Sequence, residues 1–169
     1  MAEADPVLRL GNNFSRTLAE VMIESHRIRS QLLDCFHQVE EELYLIGVQL
    51  NVKTEATAPL GGRISQLRTA PVSDKKRKVK LDSLLDLACE AAKQRAHIVH
   101  AMIYPVMSLD TGEVMIQFKV VPQASGMCYC ITESDFRKLP NLTLQLANRL
   151  KQLRTTPAPA APAGTSATA

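Results

Sequence analysis

The chain has no tryptophan, and only four phenylalanines and three tyrosines among 169 residues. So few rings argue against a stacking platform for bases or sugars, and aliphatic side chains must supply most of the buried area at roughly 25 cal/mol per Å². Long hydrophobic runs are missing too. No stretch approaches the ~18 apolar residues that cross a bilayer, and MAEADPVLRLGNN lacks the charged start and continuous apolar core of a secretion signal. No membrane is expected among the partners, and the chain reads as soluble and intracellular, cytoplasmic, or nuclear in a cell that has a nucleus.

Phosphate cradles are also absent. There is no Gly-x-Gly-x-x-Gly and no Gly-Lys-Ser/Thr loop, and the one Gly-Gly pair, Gly61-Gly62, follows no strand. No Gly-x-Ser-x-Gly elbow marks a nucleophile. Glu40, Glu41 and Glu42 are consecutive, so on a helix they point apart and read as a solvated face rather than an acid and base pair. A non-enzyme is expected, with no catalytic residue and no cofactor. The four cysteines, Cys35, Cys89, Cys128 and Cys130, are too scattered for a disulfide framework and read as thiols packed as small hydrophobes. With His97 and His100, the pair Cys128 and Cys130 makes the one set of zinc-ligating side chains. Its spacing is narrower than the turns zinc sites use, so no metal is assigned.

What is present is a globular composition, 46% hydrophobic and 22% charged. The net charge of +3 and pI near 8.7 are mildly basic, short of the pI above about 9 typical of a dedicated nucleic-acid-binding domain. The pattern predicts an α+β fold: a long N-terminal amphipathic helix, a second helix, a small three-stranded antiparallel sheet with a hairpin, and a C-terminal amphipathic helix.

Asp5-Pro6 resembles a helix cap and first turn, and Gly11-Asn12-Asn13 a break before the main helix, expected from Phe14 to about residue 50. Apolar residues recur along it at Phe14, Leu18, Val21, Ile28, Leu32, Cys35, Val39 and Ile46, in steps of three and four, with Ser25 and Glu42 as polar interruptions. Met22, Phe36 and Leu43 widen this seam toward the broad face of a bundle helix. At 1.5 Å per residue such a helix is roughly 55 Å long, more than a domain of this size is wide. The seam is therefore read as a self-interface, making residues 1–50 a helical oligomerisation segment. The alternative is a helix that breaks near Gly47 and packs within its own chain.

Residues 51–80 mix Pro59, Gly61, Gly62 and Pro71 with polar side chains and show no sustained period, so they read as a flexible basic connector. It ends in Lys75-Lys76-Arg77-Lys78-Val79-Lys80, five cations in six residues. That run resembles a short nuclear import signal and is the candidate site for nucleic acid or an acidic partner, with Arg63, Arg68, Arg149, Lys151 and Arg154 as helpers.

Residues 81–154 read as a small α+β domain. Asp82 caps a helix running to about His97, and HAMIYPVMSL and EVMIQFKVV form a hairpin around Asp110-Thr111-Gly112. Pro105 belongs on an edge strand or bulge, Pro122 and Ala124-Ser125-Gly126 close the second strand, and MCYCIT forms a third. Thr132 caps the last helix, kinked or restarted at Pro140, with Leu139, Leu142, Leu146, Leu150 and Leu153 repeating along it. The Pro/Ala tail 155–169 is expected to be disordered. Met107, Met115 and Met127 read first as core fillers and second as an adaptable recognition surface on the hairpin domain. The leading expectation is a homo-oligomeric interaction protein, an adaptor, assembly factor or chaperone-like module that binds itself and another protein. The alternative is a nucleic-acid-binding dimer using Lys75, Lys76, Arg77, Lys78 and Lys80.

Overall fold

The computed structural model describes residues 7–10, 14–53, 58–107, 110, 113–119 and 129–156, with residues 7–10 and 14–18 described by backbone only. In chain order the elements are β1 (Val7–Leu10), β2 (Phe14–Thr17), α1 (Leu18–Gln49), α2 (Leu60–Arg68), α3 (Lys75–Val99), β3 (Met102–Met107), β4 (Val114–Lys119), β5 (Tyr129–Thr132) and α4 (Glu133–Thr155). The fold is α+β, with the expected long N-terminal helix, a three-stranded antiparallel sheet in the order β3-β4-β5, and the C-terminal helix. Asp5-Pro6, Gly11 to Asn13, Thr111-Gly112, Pro122, Ala124 to Cys128 and the tail from 157 onward lie outside the described residues.

The spine is α1, 32 residues and about 48 Å long at 1.5 Å per residue. It starts at Leu18 rather than Phe14, because Phe14–Thr17 pairs antiparallel with Val7–Leu10. Its end is a Schellman turn: the amide of Val52 donates to Gly47 O at 2.9 Å and that of Asn51 to Val48 O at 3.1 Å, with Asn51 in the left-handed region at φ 54°.

Two cores are strung along α1. Toward its N-terminus Val21, Ile28, Leu32 and Phe36 pack on the inner face of the sheet with Ile98, Ile103, Ile116, Phe118 and Phe136. Toward its C-terminus Val39, Leu43 and Ile46 pack with Leu60, Ile64 and Leu67 of α2, Leu81, Leu84 and Leu85 of α3, and Leu146 and Leu150 of α4. α4 runs parallel to α1 and joins both cores, with ion pairs near either end, Arg137 to Glu24 at 2.7 Å and Arg154 to Glu42 at 2.7 Å. α3 runs antiparallel to both. The Arg29 guanidinium donates to Val99 O at its end and to Ala101 O just beyond, which sets a cation at a helix C-terminus.

The polar residues that interrupt the α1 seam are accommodated inside. Ser25 donates back to Val21 O at 2.7 Å, and Glu42, expected on a solvated face, is buried and gripped by Arg154.

The segment 51–80, expected as a connector, carries helical structure instead. Leu60–Arg68 is a helix that buries Leu60, Ile64 and Leu67, and Lys75–Lys80 forms the opening turns of α3 rather than a loop. α3 starts seven residues before Asp82 because Asp74 is its cap, its carboxylate accepting from the amides of Lys76 at 2.8 Å and Arg77 at 3.3 Å. At the start of α4, Thr132 accepts from the Asp135 amide at 3.1 Å, as the sequence suggests, and the helix then continues through Pro140 without a break. Among the described residues no helix is long and apolar enough to cross a membrane.

Candidate interaction surfaces

The fold treats the candidate surfaces differently. The α1 seam is enclosed: Val21, Ile28, Leu32, Cys35, Val39 and Ile46 are all buried against the chain's own elements, and the side chains of Phe14 and Leu18 lie outside the described residues. A residue with almost no exposed surface in the monomer cannot also cover a partner, so the described part of the seam, Val21 to Ile46, is an intramolecular core in place of the expected self-interface. One helix serves two cores end to end, and its length therefore requires no second chain.

The basic run is split by its helix. Lys78 turns toward its own chain, donating to Asp82 at 2.8 Å and to Arg68 O at 2.7 Å. The Arg77 guanidinium donates to Gln49 Oε1 at 3.0 Å and Leu153 O at 3.4 Å, tying the start of α3 to the ends of α1 and α4. Lys75, Lys76 and Lys80 are exposed and have no ion-pair or hydrogen-bond partner for their ammonium groups among the described residues. Of the expected helpers, Arg63 lies buried against α1, donating to Glu40 O at 2.9 Å beside the Tyr44 ring; Arg68 is paired with Asp86, and Arg154 with Glu42. Arg149 and Lys151 are exposed. Arg149 shares with Lys76, Arg77 and Lys80 a cleft of about 670 Å³ between the opening turns of α3 and the last turns of α4. Leu84, Leu153 and Val79 supply its apolar lining.

A third surface is the outer face of the sheet. Residue alternation and register put Met102, Tyr104 and Val106 of β3, Met115, Gln117 and Lys119 of β4, and Cys130 and Thr132 of β5 on one side. The opposite side carries the buried Ile103, Val114, Ile116 and Phe118. On the outer side Met102 is 55% exposed, Tyr104 38% and Val106 36%. Met115 belongs to this face and Met107 is exposed at the end of β3, whereas Met127 lies outside the described residues. Met102, Tyr104 and Val106 are not among the sequence candidates, although the alternation in MIYPVM marks them.

The cysteines divide by environment: Cys35 is buried, Cys89 half-buried and Cys130 exposed on the outer sheet face, all as free thiols. Burial, and then the neighbouring Asp34, pushes the Cys35 thiol up and keeps it protonated. His97, considered for a metal set, stacks on Tyr129 with ring centres 5.2 Å apart. No family model, curated protein or solved structure was found to match the chain.

Proposed function

We propose that this chain is a non-enzymatic interaction protein that self-associates through the outer face of its β3-β4-β5 sheet. The observation that carries the reading is the exposed apolar row Met102, Tyr104 and Val106 beside Met115, on a sheet whose other face is already filled by α1 and α4. Open sheet edges also attract partners, but Pro105 in the middle of edge strand β3 has no amide to donate, which disfavours a continuous ladder there and leaves the face as the better surface.

A second copy fits by symmetry. Along β4 the outer row runs Met115, Gln117, Lys119. A two-fold axis crossing the strands at Gln117 sets Met115 of each copy beside Lys119 of the other, keeps the two ammonium groups apart and closes the assembly at a dimer. The footprint is small. Three strands of at most six residues span roughly 20 by 14 Å, well below the ~800 Å² per partner of a standard interface. The dimer is accordingly weak and concentration-dependent.

Sedimentation equilibrium over a series of micromolar concentrations tests this. The mass should rise toward twice 18.6 kDa in wild type and stay at the monomer value in Tyr104→Glu. A wild type that stays monomeric at the highest concentration rejects self-association. A dimer that persists in Tyr104→Glu rejects this face.

A further inference from the structure

We infer that the cleft between α3 and α4 is a second docking site, one that receives an acidic amphipathic segment of a partner protein. Its charge is lopsided. Among the described residues Lys76, Arg77, Lys80 and Arg149 line it against one carboxylate, Asp74, and that carboxylate is already committed to the amides of Lys76 and Arg77. The helix N-terminus is thus satisfied by its own cap, and the attraction for an anion comes from the side chains, not from open amides. Lys76, Lys80 and Arg149 reach solvent unpaired among the described residues, so no ion pair described there has to break before they meet a ligand.

The remaining lining is what selects a protein segment. Val79, 69% exposed, lines the cleft with Leu84 and Leu153, giving apolar surface among the cations. Phosphate backbones make no use of such surface. A peptide with an apolar stripe flanked by carboxylates uses all of it, its apolar side chains lying between α3 and α4 and its acids reaching Lys76 and Lys80 on one wall and Arg149 on the other. Arg77, held by Gln49 and Leu153 O, fixes the wall geometry beforehand, which lowers the ordering cost of binding. The volume of about 670 Å³ accommodates several side chains of such a segment.

The test uses the full chain and a random peptide library displayed on phage, selected on wild type and followed by fluorescence anisotropy of the enriched peptides. Enriched sequences are expected to combine acidic and apolar residues. They should bind at least tenfold more weakly to Lys76→Glu/Lys80→Glu/Arg149→Glu, and severalfold more weakly to Val79→Ser, which leaves every charge in place. All four side chains are exposed, so both variants should keep the wild-type thermal melt, and the Gln triple replaces the Glu triple if they do not. No enrichment, enrichment of sequences without acids, or equal affinity for the charge-reversed chain overturns the inference. So does single-stranded DNA that outcompetes the peptides and loses about 10³-fold or more in affinity between 50 and 200 mM salt, which would assign the cleft to nucleic acid instead. The sedimentation behaviour of Tyr104→Glu is read separately, so failure at the cleft leaves the sheet-face reading standing, and the reverse.

Discussion

The two cores along α1 differ in what encloses them. The C-terminal one is surrounded by helices and its buried members are all aliphatic or alanine. The N-terminal one is built on a sheet and holds every buried phenylalanine among the described residues, Phe36, Phe118 and Phe136, with Phe118 edge-on to Phe136 at 5.2 Å. The rings sit where the sheet meets α1 and α4, and their large area carries much of the burial at that end. Among the described residues nothing packs on the sheet's second face. The helical core is therefore enclosed by its own elements, with a cleft only at its outer rim, whereas the sheet core has a bare strand face directly behind it.

The largest test of this picture is Leu32→Lys. If α1 were a dimer seam, the substitution would yield a folded monomer. With Leu32 fully buried over the sheet, it places an ammonium in the ring-lined core and should cost about 4 kcal/mol or more, seen as loss of cooperative unfolding in urea. A variant that keeps its wild-type midpoint and changes only its mass would restore the seam as an interface.

A finer comparison lies in the two caps. Asp74→Ala removes the acceptor for two amides where α3 enters the all-helical end, and Thr132→Ala removes the acceptor for one where α4 leaves the sheet. Each should cost about 1 kcal/mol by denaturant titration, Asp74 the more of the two. Equal midpoints for both variants and wild type would mean that tertiary packing alone fixes these helix starts.

The smallest expected effect is a pH dependence confined to the sheet end. Arg27, with Arg137 adding to it, holds the Glu24 carboxyl down to about 2, against an ordinary 4.5. Its folded-state value lies below the unfolded one, so its contribution is complete above about 4.5 and disappears as pH falls toward about 2. Glu24 is half-buried but its partners Arg27 and Arg137 are exposed, so solvent screening holds the contribution to about 1 kcal/mol or less. Glu24→Gln should flatten the stability profile across that window, and an unchanged slope would show that other carboxylates set it.

Periodicity tells which residues are buried but not what buries them. Val21, Ile28, Leu32, Val39 and Ile46 are legible as one stripe, yet a stripe has the same spacing whether its cover is a second chain, a sheet or three helices. The β3–β4 pairing is legible from two neighbouring apolar runs of strand length, and the Thr132 cap because cap chemistry is local. The helix α2 is hidden by its glycines, although Leu60, Ile64 and Leu67 have helical spacing. Nothing in the packing requires glycine there: a Cβ at Gly61 would meet no atom within 4 Å, and one at Gly62 only the Pro59 ring at 3.7 Å. The start of α3 is hidden for a different reason. Its opening turns are charged, and an apolar repeat appears only from Leu81, where the helix meets the core. The cleft is half visible, since its cations stand out in two separate stretches of sequence, but only the antiparallel packing of α3 on α4 brings Arg149 beside Lys76 and Lys80.

The parallel pairing of α1 with α4 also bears on how the chain folds. Phe136 and Leu139 complete the sheet core, and Leu146 and Leu150 complete the helical one, so both cores wait for a helix more than a hundred residues downstream of Val21 and Ile28. During synthesis neither can close around α1 until α4 has left the ribosome. The long-range closure of α4 onto α1 is therefore the expected slow step of folding.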